Sequence, residues 1–254
     1  VLFPLLTLGF APLFTNGTGS QLWLALFFLG ALPSTVSSSV VMVSVAQGNI
    51  PAAIFNASLS GLLGIVITPL WMSFFMASSS QFEFAVVVQK LVIQIILPLI
   101  IGLFLQKFLG ELARKNSRKI SLFDKSVIVL IVYSSFSSAF SSKLFSTVGL
   151  SDLLKLTAIV TALFFVVYFI TAVVSRLFNF KTEDEITAKF CGTKKSLVHG
   201  SVMVKVIFGN SAANALYLLP IMLYHILQLL VIAIFAEGYR KRPNSENLPA
   251  KLRD

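Results

Sequence analysis

Apolar residues run along this chain in long blocks separated by short polar intervals. The blocks fall at 1–15, 21–46, 50–76, 86–107, 124–145, 153–178, 186–204 and 206–236. An α-helix needs about 20 apolar residues to cross a hydrocarbon core, and in lipid only a helix or a closed barrel satisfies its own backbone. The pattern therefore predicts an all-α membrane protein, a polytopic helical bundle of about eight spans. The first block is short for a span, and the chain opens on "VLFPLL" with neither Met nor a basic leader, so an N-terminal truncation is expected.

Composition agrees. Of the 254 residues, 56% are hydrophobic and 12% charged, against about 25% charged in a soluble domain, and the mean hydropathy is +0.89. The net charge of +10 is gathered in short clusters between the apolar blocks, which argues against nucleic acid as a partner and for the lipid bilayer. Lys107, Arg114, Lys115, Arg118, Lys119 and Lys125 form one cluster; Arg240, Lys241, Arg242, Lys251 and Arg253 form the other. The positive-inside rule puts both in the cytoplasm, which gives a multi-pass protein of the cell membrane with a cytoplasmic tail over 237–254. Alternation then places Arg176, Lys181 and Lys189 inside and leaves few cations outside. It also puts Asn16-Gly17-Thr18, a tripeptide of glycosylation type that also arises by chance, on the outer side. A single cysteine, Cys191, and the absence of any Cys/His spacing for zinc point to no metal and no cofactor.

The chain also repeats itself. "VMVSVAQGN" (41–49) returns as "VMVKVIFGN" (202–210), each copy preceded by a polar stretch and followed by a long apolar block. The copies lie five spans apart, and an odd number reverses the direction of travel, as in inverted-topology repeats. The polar stretches are "PSTVSSS" (33–39) and "KKSLVHG" (194–200). A helix interrupted inside the membrane is tolerated only where it lines a cavity; its freed carbonyls suit a cation and its exposed N-terminus an anion. Pro33 and Gly192 are the expected helix breaks. Lys194 and Lys195 sit where a span wants leucines, and an ammonium at a helix centre costs about 2.5–3.5 kcal/mol on insertion scales. Either both snorkel through a watered break, or one meets an anionic substrate or stands in for a bound cation. His225 and Gln228 share a face of the last span and read as neutral hydrogen-bonding glue. Thr182-x-x-Glu185 reads as a capping box.

"LPSTVSSSVVMVSVAQGN", "ASLSGLLGIVITPL", "KTEDEITAKFCGTKKSL" and "LPIMLYHILQL" resemble the bile acid:sodium symporter family, in particular a bacterial sodium-dependent branch akin to the seventh member of the vertebrate sodium/bile acid cotransporters. The resemblance covers nearly the whole chain and implies ten spans in complete relatives, arranged as two inverted five-helix repeats with two broken helices crossing at the midplane. On that reading 1–254 is one transporter domain, 1–76 the end of the first repeat and 86–236 the second. The resemblance also implies a cation set of Ser38, Ser39, Asn56, Ser60 and Thr193, with sodium as the ion. The family's acidic ligand falls at Phe190, its glutamine at Lys194, and two hydroxyl positions at Ala53 and Ala57, which weakens the two-sodium site. Ser34, Thr35, Lys194, Lys195, Ser196 and His199 are the expected substrate contacts, although His199, lying after the break, reads more simply as structural.

The expected activity is secondary transport of a small solute, an organic anion in the first instance, with sodium coupling as an option. A non-transporting membrane regulator of ion homeostasis is the alternative. An enzyme is not expected, since neither paired buried aspartates nor HExxH occurs. Oligomeric state is not legible in the residues.

Overall fold

The structure is a computed structural model describing residues 2–14, 18–76, 83–141, 148–209 and 213–242. The glycosylation tripeptide, apart from Thr18, and the tail lysine and arginine at 251 and 253 lie outside them. No strand occurs among the described residues. The helices are α1 (Leu2–Leu8), α2 (Thr18–Ala31), α3 (Ser37–Val45), α4 (Ile50–Met76), α5 (Phe84–Leu91), α6 (Leu97–Lys115), α7 (Ser117–Ser141), α8 (Leu150–Leu177), α9 (Thr182–Gly192), α10 (Leu197–Phe208) and α11 (Asn214–Arg240). A π segment, Val92–Ile96, joins α5 to α6. It sits just before Pro98, whose ring displaces the carbonyl one turn back, so the helix widens instead of breaking.

Four unbroken helical runs are long and apolar enough to cross a membrane: Ile50–Met76, Phe84–Lys115, Leu150–Leu177 and Asn214–Arg240. Their many exposed leucines, isoleucines and phenylalanines are what a lipid-facing surface requires. The interval expected as a loop at 107–125 is nearly all helix. α6 runs through to Lys115 and α7 begins at Ser117, so the basic cluster rides on helix ends about a single turn residue, Asn116.

Two spans are interrupted. α2 stops at Ala31 and α3 starts at Ser37, with Pro33 in the gap; α9 stops at Gly192 and α10 starts at Leu197. The second break therefore lies after Gly192, over 193–196. Gly192 itself is helical, and Thr193-Lys194-Lys195-Ser196 is the unwound stretch.

α11 serves as a ruler for direction. Its Tyr217 stacks on Phe208 at the end of α10 at 3.7 Å. Its Tyr224 and Gln228 reach the second break, and its Tyr239 hydroxyl accepts from Lys189 Nζ in α9 at 2.5 Å. The α9–α10 pair thus runs antiparallel to α11 along its length. The far end of α3 meets the start of α9: Asn49 donates to Asp184 at 2.7 Å, and the Asn49 amide donates to Thr187 Oγ1 at 2.9 Å. Arg242, just after α11, reaches the Ala46 and Gln47 carbonyls at 3.4 Å. α3 therefore ends where α9 begins, and the two copies of the repeat travel in opposite directions.

The capping box at the start of α9 does not form. Lys181 holds the N-cap position without a side-chain bond, Thr182 is already helical, and Glu185 turns instead to Lys189 at 2.8 Å. Three acidic residues in that first turn still complement the positive helix end.

Candidate functional site: the crossing of the two broken helices

A chain that unwinds inside a membrane must satisfy each freed backbone group from within, and nearly every partner here comes from the other break or from the helix that follows a break. The Ser196 amide donates to the Pro33 carbonyl at 3.0 Å, joining the breaks directly. Ser34 Oγ donates to the Cys191 carbonyl at 2.9 Å, and Ser60 Oγ accepts from the Ser34 amide at 3.0 Å. Thr68 of α4 donates to the Ala31 carbonyl at 2.8 Å. On the other side, Tyr224 of α11 donates to the Thr193 carbonyl at 2.5 Å. Gln228 clamps one residue from both ends, its Oε1 accepting from the Lys195 amide at 2.8 Å and its Nε2 donating to the Lys195 carbonyl at 2.9 Å. His225 Nδ1 lies 2.9 Å from Gln228 Nε2. The glue expected of His225 and Gln228 thus has a specific target that sequence periodicity alone did not reveal.

The two lysines do not snorkel. Lys195 Nζ donates to the Gly30 carbonyl at 2.7 Å and the Leu32 carbonyl at 2.6 Å, with the Phe3 ring centroid 4.2 Å away. Its ammonium thereby closes the C-terminal end of α2, where the helix dipole is negative. Lys194 Nζ donates to the Ser38 carbonyl at 2.6 Å, in the first turn of α3, where the dipole is positive. Both residues are buried, Lys194 at 1% exposure. The salt bridges among the described residues are Lys189–Glu185 and Arg240–Glu237, so no carboxylate there pairs with either lysine of the break.

A cavity of about 480 Å³ opens on this crossing. Its polar lining includes Ser34, Asn56, Ser60, Thr171, Lys194 and Lys195; Leu2, Leu59, Leu63, Ile67 and Trp71 supply apolar wall. A second cavity of about 420 Å³ lies toward the α9 start, beside Asp184 and Thr187, and shares Asn56 and Gly192 with the first.

The residues singled out by sequence divide accordingly. Ser34, Asn56, Ser60, Lys194 and Lys195 come together around the first cavity. Ser38 and Ser39 stand in the first turn of α3, outside the lining of the cavity, with Ser39 against the Cys191 thiol and the Ser38 hydroxyl without a hydrogen-bond partner. Thr193 turns its hydroxyl back to the Lys189 carbonyl at 2.7 Å. Thr35 is buried in the first break. Ser196 and His199 are absent from the cavity lining: Ser196 Oγ caps α10 by accepting from the His199 amide at 3.2 Å, and lies 2.9 Å from His199 Nδ1. The His199 ring packs over Gly61 of α4. Phe190, at the family's acidic position, is fully buried and meets Tyr239 edge-on at 6.0 Å.

Close approach of α4 to the first break depends on Gly64. A Cβ there meets the Pro33 ring at 2.8 Å, with backbone-constrained atoms that cannot swing aside. Gly64→Ala is expected to cost about 1–3 kcal/mol by overpacking, read as a lower melting temperature of the purified protein; an unchanged melting temperature removes the close packing from the account.

Comparison with known proteins agrees with this architecture. A model of the SBF-like CPA transporter family matches residues 1–241. The uncharacterized protein PA2026 of Pseudomonas aeruginosa is 38% identical over 243 residues, which cover 95% of this chain and 73% of that protein. YfeH of Escherichia coli, named as a candidate symporter, is 33% identical over 251 residues, covering 99% of this chain and 75% of YfeH. Sodium/bile acid cotransporter 7 of Rattus norvegicus is 30% identical over 227 residues, 88% of this chain and 66% of the cotransporter. The family resemblance drawn from the sequence motifs is thereby established. The chain belongs to the SBF-like CPA transporter family and is a multi-pass secondary transporter.

Proposed function

We propose that this transporter moves a small organic anion with an apolar body across the cell membrane, with its C-terminus in the cytoplasm. The observation that carries the reading is the pair of buried ammonium groups at the crossing, with no carboxylate partner among the described residues, on the border of a cavity whose other wall is apolar. Buried charge without a counter-charge is expensive. A bound anion supplies the missing charge, and Leu59, Leu63, Ile67 and Trp71 accept its hydrocarbon part. The name of the rat relative, a sodium/bile acid cotransporter, supports both an amphipathic anion as cargo and sodium as the coupling ion.

Among the cation ligands expected from sequence, Asn56 and Ser60 face the cavity and retain free lone pairs, so they are the proposed oxygen contacts for sodium on this path. The basic residues at the shared end of α9 and α11 support the cytoplasmic assignment of that end.

The test is uptake of labelled cholate, and of an uncharged sterol analogue, into vesicles carrying the purified protein. Cholate is expected to accumulate, with uptake raised by an inward sodium gradient, while the analogue does not. Uptake of the uncharged analogue at the same rate, or of neither compound, overturns the reading.

A further inference from the structure

The two basic clusters of the chain are finished differently. Where α9 and α11 meet, protein groups take up the cations: Lys189 pairs with Glu185 and reaches Tyr239, Arg240 pairs with Glu237, and Arg242 reaches the Ala46 and Gln47 carbonyls. About the α6–α7 turn the situation is reversed. Lys107, Arg114, Lys115, Arg118 and Lys119 are all exposed, and none has an ion-pair or hydrogen-bond partner among the described residues. Glu111 stands at helical pairing distance in sequence from both Lys107 and Arg114, and it pairs with neither.

Helix length sets the height of this cluster in the membrane. The run Phe84–Lys115 has 32 residues, about 48 Å of helix at 1.5 Å per residue, against a hydrocarbon core of about 30 Å. Its charge-free stretch, 91–106, belongs in that core, so the turns from Lys107 to Lys115 pass through the headgroup level. Only Asn116 separates α6 from α7, which brings Arg118 and Lys119 to the same height. Phe104, Phe108 and Leu112 follow one another at steps of four and are largely exposed, a stripe adjoining the one that carries Lys107 and Arg114. An apolar stripe that rises out of the core into a group of cations matches a phospholipid, with its acyl chain below and its phosphate above.

We propose that the α6–α7 turn is a binding site for anionic phospholipids, with Lys107, Arg114 and Arg118 meeting the headgroup phosphate and Phe104, Phe108 and Leu112 lying along the acyl chains. Charge selects this occupant: five unpaired cations against one carboxylate complement a lipid of net negative charge, and a zwitterionic lipid offers them no net attraction. The leaflet concerned, the cytoplasmic one, rests on the orientation proposed above. Binding itself does not, because both leaflets of a mixed vesicle carry the lipid.

The experiment compares the purified protein with a neutral variant, Lys107→Gln/Arg114→Gln/Arg118→Gln, and a charge-keeping variant, Lys107→Arg/Arg114→Lys/Arg118→Lys. Each is reconstituted into vesicles of phosphatidylcholine alone and of phosphatidylcholine mixed with phosphatidylglycerol, and melting temperature is followed. Phosphatidylglycerol is expected to raise the parent's melting temperature by roughly 2–6 °C, and molar potassium chloride, which shortens the screening length to about 3 Å, to remove the shift. The three side chains have no protein partner, so the neutral variant should match the parent in phosphatidylcholine alone and lose the response to phosphatidylglycerol, while the charge-keeping variant retains it. A parent that melts alike in both lipids overturns the proposal, as does a neutral variant that keeps the full response. Inorganic phosphate added to phosphatidylcholine vesicles should give no shift; a shift of the same size would make this a site for a free anion and not for lipid. If the neutral variant instead loses oligomeric mass by light scattering and keeps its lipid response, the face binds a second copy of the chain and the proposal fails.

Discussion

Lys195→Met is expected to destabilise the protein by about 2–4 kcal/mol, against the naive expectation that removing a buried charge from a membrane helix helps. The ammonium costs about 2.5–3.5 kcal/mol to place. It returns two charge-assisted hydrogen bonds of about 1.5–3 kcal/mol each, and a cation–π contact with Phe3 of about 2 kcal/mol when desolvated. Methionine keeps most of the length, one atom short, and removes all three, and it leaves the Gly30 and Leu32 carbonyls without a donor in hydrocarbon. Lys195→Gln, with one amide NH₂, should fall between the two. Thermal unfolding in a mild detergent reads the effect; a methionine variant as stable as the parent shows that water or another donor already serves those carbonyls.

Lys194→Gln is expected to act on ligand and not on stability. Lys194 has one carbonyl acceptor to Lys195's two, and it stands at a positive helix end that does not reward it. Its charge is useful once an anion arrives. Loss of one charge-assisted bond of about 1.5–3 kcal/mol weakens affinity by roughly ten- to a hundredfold. Cholate titration of the two proteins measures this, and an unchanged dissociation constant assigns the anionic end of the cargo to other donors. The two adjacent lysines of the unwound stretch are thereby expected to divide their roles, Lys195 holding the α2 carbonyls and Lys194 meeting the cargo.

The spans and the two breaks were legible because a bilayer allows so few solutions: long apolar runs must be helices, and a polar stretch inside one must be a break. Proline at 33 marked its break correctly, since its missing amide and fixed φ cannot continue a helix. Gly192 misled by one residue because glycine tolerates a helix when neighbours pack against it, and here Thr171 of α8 does so. The capping box failed for a local reason: Thr182 is already helical, and Glu185 is claimed by Lys189 one turn along the same helix.

The candidate site was legible in its residue types and not in their division of labour. Nothing in "TKKS" says which lysine reaches back to α2 and which to α3. That depends on how two breaks far apart in sequence cross, and on Gln228 and Tyr224 holding the unwound backbone in one orientation. The hydroxyls of Ser38 and Ser39 carried an assignment from the family resemblance.

The central claim is that the Lys194 ammonium meets an anionic cargo at the crossing. Its most direct test is cholate uptake into vesicles by the parent and by Lys194→Gln, at matched protein incorporation and matched melting temperature. The account predicts accumulation by the parent and a loss of roughly tenfold or more in the variant at low cholate. Equal uptake by the two proteins would contradict it.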